Sequence, residues 1–176
     1  MDLLKEIRDD KFPKNQSDIK LRETVRVILF DNEGLVPTLF VSKENYHKLP
    51  GGGIEEGESK TQALAREVLE ETGCAITVTG EVGKILEYRS GANFNWKCDY
   101  KQISYCYVGD VVSKVDNPNF DQGELKEGFE LVWLPIKEAI TTLENDKPKN
   151  YEGSFIQQRD LAFLKKFESI KESKHS

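Results

Sequence analysis

The acidic residues of this chain are spaced in a way that invites a cation. Gly52-Gly53-Ile54-Glu55-Glu56-Gly57-Glu58 is followed, seven residues on, by Arg66-Glu67-Val68-Leu69-Glu70-Glu71-Thr72-Gly73. On a helix, Glu67, Glu70 and Glu71 stand at i, i+3 and i+4, so they share a face and their carboxylates converge. Glu67 and Glu71 form a like-charge i,i+4 pair, which costs about 0.2–0.5 kcal/mol, and only Arg66 to Glu70 offers relief. No Lys or Arg follows before Gly73. A merely solvated face is usually laced with opposite charges. A hard divalent cation reverses the repulsion, because Mg²⁺ and Mn²⁺ take carboxylate oxygens. The acids therefore read as ligands, and a cation beside a glycine-rich loop points to phosphate chemistry.

The helix that must carry them has clear ends. Ser59 followed by Gln62 forms a capping-box pattern, placing the start at Ser59 or Lys60. Gly73 suits the left-handed position that closes a helix. Leu64, Ala65, Val68 and Leu69 give the expected apolar arc, and small Ala63 shares the acidic face, leaving room there. Two other readings of the glycines fail. A phosphate-cradling P-loop needs Lys after its last glycine, where Glu58 stands, and the dinucleotide pattern G-x-G-x-x-G fails at Glu56.

Gly52-x5-Glu58-x7-Arg66-Glu67-Val68-x-Glu70-Glu71-x-Gly73-Cys74 resembles the Nudix box at every position, with Cys74 where a larger aliphatic residue is usual. Leu49-Pro50-Gly51 and the flanking strand patterns extend the likeness from about Leu21 to Leu143. The resemblance implies an α/β/α sandwich: a mixed sheet with the box helix beside it. It implies that Glu67, Glu70 and Glu71 bind metal, that the Gly51 carbonyl completes the coordination, and that Glu58 pairs with Arg66 to stiffen the loop–helix junction. The activity implied is Mg²⁺-dependent hydrolysis (Mn²⁺ being the alternative ion) of a pyrophosphate linkage in a nucleoside diphosphate derivative. The ion would neutralise charge and lower the pKa of water for in-line displacement. The general base is Glu67 or a later acid among Glu124, Glu127 and Glu130, of which Glu127 is favoured.

Composition fits that reading. The chain has 176 residues with 25 Lys+Arg against 31 Asp+Glu, a net charge of −6, which argues against nonspecific binding to double-stranded nucleic acid. The basic clusters Lys147–Lys149 and Lys165–Lys166 are small. No apolar run is long enough to cross a bilayer. No secretory segment opens the chain, so the expected compartment is cytoplasmic. Three cysteines without C-x-x-C spacing, and only His47 and His175, argue against a disulfide framework or a zinc site.

Residues 1–20 read as an N-terminal arm or helix, and residues 21–176 as one domain including a C-terminal helix. Glu23–Asp31 reads as a buried strand, and Asn32-Glu33-Gly34 as a turn returning Leu35–Ser42 as its hairpin partner. Pro37 suggests an edge or bulge. Ala75–Tyr88, Gln102–Val112 and Glu130–Leu134 read as strands, and Asp116–Glu127 as loop. A short helix follows Pro135, and Ile156, Phe163, Phe167 and Ile170 stripe the last helix, whose tail frays after Lys171.

Specificity is set by the loops around such a site. The family's NADH signature has no counterpart between Cys74 and Lys97, and the proline marking ADP-ribose enzymes is absent near Arg89 and Ser90. Tyr88 lies near the tyrosine of dinucleoside polyphosphate enzymes. Phe94, Trp96, Tyr100, Tyr105 and Tyr107 are candidates for a base-stacking platform, with core packing as the alternative. By elimination the expected substrate is a (deoxy)nucleoside triphosphate, oxidised purines being among the candidates, giving monophosphate and pyrophosphate. ADP-ribose, a sugar nucleotide or an RNA 5′ end is the alternative within the chemistry, and a non-catalytic nucleotide-sensing module the alternative outside it. A homodimer, through the N-terminal arm or C-terminal helix, stays open.

Overall fold

The computed structural model describes residues 1–12, 19–91 and 98–173. Lys20–Phe30 (β2) shows why a layered fold forms. Every residue from Val25 to Leu29 is buried, which requires cover on both faces of its sheet. Val25, Val27 and Leu29 pack under helix α1 (Lys60–Thr72) with Ala63, Leu64 and Val68. Ile28 faces the other way, towards α3 (Ile136–Asn145) and α4 (Tyr151–Ser173), among Ala139, Leu143, Phe155 and Phe163. The result is the expected α/β/α sandwich with the box helix on one side.

Its central sheet is mixed, in the order β1-β5-β6-β2. Cys74–Arg89 (β5) and Tyr100–Lys114 (β6) pair antiparallel, and β2 runs parallel to β6. Leu3–Arg8 (β1) pairs parallel with β5. The N-terminal segment is thus a strand where the sequence suggests an arm or helix. Its partner lies some eighty residues away, and local periodicity carries no sign of such a pairing.

A second, antiparallel sheet has the order β4-β3-β7, built from Tyr46–Lys48 (β4), Leu35–Val41 (β3) and Phe129–Pro135 (β7). This corrects the expected β2–β3 hairpin. The turn itself forms, with Asp31 Oδ1 accepting from the Glu33 and Leu35 N–H groups at 2.9 and 2.8 Å, but β3 then leaves β2 and pairs with β7. Pro37 lies where β3 has β7 on one side and β4 does not yet reach, which accommodates its missing N–H.

Two further expectations change. Within 116–127, Gln122–Glu127 is a short helix (α2), closed by an Asp121/Glu124 capping box and Gly128. On α1 the buried residues are Ala63, Leu64, Val68, Glu71 and Thr72, while Ala65 and Leu69 are exposed. Ala63 is therefore core, packed with Leu64 and Val68, and does not share the acidic face. The C-terminal helix runs past Lys171 to Ser173, and residues 174–176, including His175, lie outside the described residues.

Candidate active site

Helix α1 begins and ends as its sequence predicts. Ser59 and Gln62 cap each other reciprocally, and Gly73 takes φ 70° at the C-terminal end. While Glu70 stays exposed beside Arg66, Glu67 and Glu71 lie against the segment Leu49–Gly53. That segment is laced to β2 by hydrogen bonds from Val25 N–H to the Gly52 carbonyl (2.9 Å) and Val27 N–H to the Pro50 carbonyl (3.1 Å). The approach is so close that a Cβ on Gly51 would lie 2.1 Å from the Val25 carbonyl oxygen, and φ at Gly51 is 128°. A Cβ on Gly52 would lie 2.3 Å from the Glu67 carboxylate. Gly51 admits no side chain because it meets backbone, while a side chain at Gly52 would displace the Glu67 carboxylate, so the glycines let the acidic helix and the loop meet.

Arg66 organises the junction. Its Nε and Nη2 hold Glu58 at 2.8 and 2.9 Å, Nη2 also reaches the Gly53 carbonyl at 3.1 Å, and Nη1 reaches Glu67 at 2.9 Å and Glu70 at 3.4 Å. The two-pronged bond from Arg66 holds the Glu58 carboxyl down at about 2. Glu71 is 1% exposed, accepting from Lys48 Nζ at 2.7 Å and from the Gly51 N–H at 2.6 Å. Burial pushes its carboxyl above the ordinary range, against the pull of Lys48.

The three glutamates share a helix face but do not converge. Arg66 draws Glu67 and Glu70, Lys48 holds Glu71, and among the described residues no three acidic, histidine or cysteine side chains gather closely enough to cage a metal. Like charges have separated onto the nearest cations, a compensation hidden from helical spacing alone. The donor set still suits a hard divalent ion, since it consists of carboxylates with a neighbouring backbone segment.

Around this helix face lies a divided cleft. An inner chamber of about 230 Å³ is lined by Arg22, Arg26, Lys48, Glu67, Glu71 and Glu127, among others. An outer recess of about 590 Å³ is lined by Arg66, Glu70, Asn119, Phe120 and Asp121, and shares Glu67 and Glu124 with the chamber. Glu124 and Glu127 both reach the site from α2, and burial raises both carboxyls. Glu130 does not reach it: it is exposed on β7 opposite Phe40.

The aromatic platform is not assembled from its described members. Tyr100 and Tyr107 are buried, and Tyr105 donates to Glu23 at 2.6 Å beneath Lys60. Phe94 and Trp96 lie outside the described residues. Tyr88 packs against Phe12 and Arg8. Sequence reasoning passed over Arg22, Arg26 and Lys48. Arg26 carried a usable signal, as a charge inside the apolar run Val25–Leu29.

A NUDIX domain model matches residues 20–154. Diphosphoinositol polyphosphate phosphohydrolase 3-beta of Bos taurus is 30% identical over 128 residues, covering 71% of each chain. Diphosphoinositol polyphosphate phosphohydrolase 2 of Rattus norvegicus is 30% identical over 149 residues, covering 81% of this chain and 76% of its own. In structure, the MutT protein of Methanosarcina mazei Go1 superposes with a TM-score of 0.58 at 18% identity, over 89% of this chain and 99% of that one, a likeness of fold. The chain belongs to the Nudix family of hydrolases, enzymes of phosphoric anhydrides whose members generally use divalent metals. None of the described helices is long and apolar enough to cross a membrane.

Proposed function

We propose that the chain hydrolyses a pyrophosphate linkage in the cleft between α1, α2 and the Leu49–Gly53 loop, using Glu67, Glu70 and Glu71 to hold Mg²⁺ or Mn²⁺. The observation that carries this reading is a single small chamber that mixes both charges: Glu67 and Glu71 of α1 and Glu124 and Glu127 of α2 line it together with Arg22, Arg26 and Lys48. Cations there bind phosphate oxygens, and the acids of α1 hold the ion. When bound, the ion supplies charge neutralisation and a lowered water pKa. Assembling that site asks Glu71 to give up Lys48 and Glu70 to give up Arg66, each a side-chain movement. The Gly51 carbonyl is the neighbouring backbone ligand. Arg66 and Glu58 orient Glu67 by bracing the loop against the helix. Glu127 acts as general base, orienting or deprotonating the attacking water.

A (deoxy)nucleoside triphosphate, cut to monophosphate and pyrophosphate, suits a chamber with three basic residues. A second reading has its own support. The relatives at 30% identity are named for diphosphoinositol polyphosphates, and two of the tyrosines expected to stack a base, Tyr100 and Tyr107, are buried. A diphosphate on a polyphosphorylated ring needs no such platform. The test is release of phosphate or pyrophosphate with Mg²⁺ across oxidised and unmodified nucleoside triphosphates, ADP-ribose, UDP-sugars and diphosphoinositol polyphosphates. Glu71→Gln, which keeps the side chain's shape and one of the two acceptor oxygens that serve Lys48 and Gly51, should remain folded and lose at least about 100-fold in turnover. Wild-type rates in that variant would remove the metal assignment.

A further inference from the structure

Arg26 is a buried cation without a counter-ion. It is 5% exposed, in the middle of the apolar run of β2. Its Nη1 donates to the carbonyl of Val25 at 2.7 Å, and its Nε is buried with no hydrogen-bond partner. Among the described residues it forms no ion pair. Burial and the neighbouring Arg159 lower its pKa to about 10, with Asp160, Glu71 and Glu67 opposing only from a distance. Arg159, buried to the same degree, is by contrast matched by Asp160 at 2.6 Å and Glu87 at 3.7 Å. An unmatched buried guanidinium is strongly unfavourable to the folded chain unless something else pairs with it. Arg26 lines the inner chamber beside Lys48, which is 8% exposed and already bound to Glu71.

We propose that Arg26 and Lys48 form a phosphoryl-binding wall in the chamber they share with Glu67 and Glu71, so that the preferred substrate carries a further phosphate beside the pyrophosphate bond that is cut. This rests on the reading of the cleft as a pyrophosphohydrolase site. A guanidinium fork matches two phosphate oxygens at once, while Lys48 adds a point charge. An anion here would supply the partner that Arg26 lacks. It would also offer Lys48 an alternative to Glu71, so phosphate binding and release of that glutamate are linked. The shared chemistry is a cluster of phosphates, which either a triphosphate chain or a polyphosphorylated ring presents.

The test is calorimetric titration with two probes that this chemistry cannot hydrolyse, bis(methylene)triphosphate and inositol hexakisphosphate, each in Mg²⁺ and in EDTA. Arg26→Met should weaken at least one probe by about tenfold or more. It should also raise the melting temperature, because an unpaired buried charge has gone. A residue kept for folding would not give that pair of results. The probe losing more affinity tells which source the wall recognises. Arg26→Lys keeps the charge without the fork and should bind more weakly than wild type but more tightly than Arg26→Met. It also serves as the test should the Met variant fail to fold. Unchanged affinity for both probes in the folded variants overturns the proposal. Titration in EDTA isolates the wall from the metal, so a failure of the Glu71→Gln experiment and a failure here are read separately.

Discussion

Glu124 and Glu127 stand one turn apart on α2, line the same chamber, and sit in different fields. Glu124 is engaged in the capping box, its Oε2 accepting from the Asp121 N–H at 2.8 Å, which makes Glu127 the freer acid. Burial raises the Glu127 carboxyl, Glu152 raises it further, and Lys48 opposes. A base must be deprotonated to act, so a raised pKa puts the acidic limb of the rate profile above the usual glutamate value of about 4.3. Removing a neighbouring negative charge lowers that pKa. Glu152→Gln is therefore expected to move the acidic limb of kcat to lower pH. Glu152 is not among the leading causes of the Glu124 shift. A limb that stays in place in this variant would assign the base to Glu124 or Glu67.

At the scale of elements, the site depends on two short connections that its own residues hold in shape. Helix α2 has six residues and buries none of them, so its order rests on its caps. The Asp121 side chain accepts from the Glu124 N–H at 2.9 Å. Asp121→Ala should cost about 1 kcal/mol, felt locally. The expected result is a severalfold fall in kcat with little change in global unfolding, largely restored in Asp121→Asn. A variant with wild-type kcat would show that α2 does not position a catalytic group. The capping residues were present in the sequence, but their setting among Asp, Asn and Gly reads as loop. The loop Leu49–Gly53 was legible from its glycines. That the Glu67 carboxylate sits over Gly52 emerges only when helix and loop are placed together.

Across the molecule, the sheet face under α4 changes character along its length. Ile28, Ile85 and Cys106 make it apolar at one end, while Thr24, Glu87, Arg89, Gln102 and Ser104 make it polar at the other. Glu87 ties this region together, accepting from Arg89 at 2.8 Å and from Gln102. Asp160 on α4 holds Arg159 and also accepts from the Leu49 N–H at 2.9 Å, joining the network to the Leu49–Gly53 loop beside α1. Asp160→Ala leaves a buried guanidinium short of its partner, which typically costs about 3–5 kcal/mol. Denaturant unfolding should show a loss of that size, together with a weakened active-site loop. A loss below about 1 kcal/mol would mean that Glu87 alone satisfies Arg159.

The sequence by itself determined the local and periodic features: the box helix with both caps, the glycine loop, the double-sided burial of β2, and the Glu58–Arg66 clamp implied by the family pattern. Each depends on residues within a few turns of one another, or on a motif with many fixed positions. Tertiary structure decided the rest. It placed β1 beside β5, sent β3 to a second sheet, buried Ala63, and drew the three glutamates towards Arg66 and Lys48 instead of towards each other. Strand partners separated by eighty residues leave no local trace. A charge chooses its partner by distance in space, which the fold alone sets.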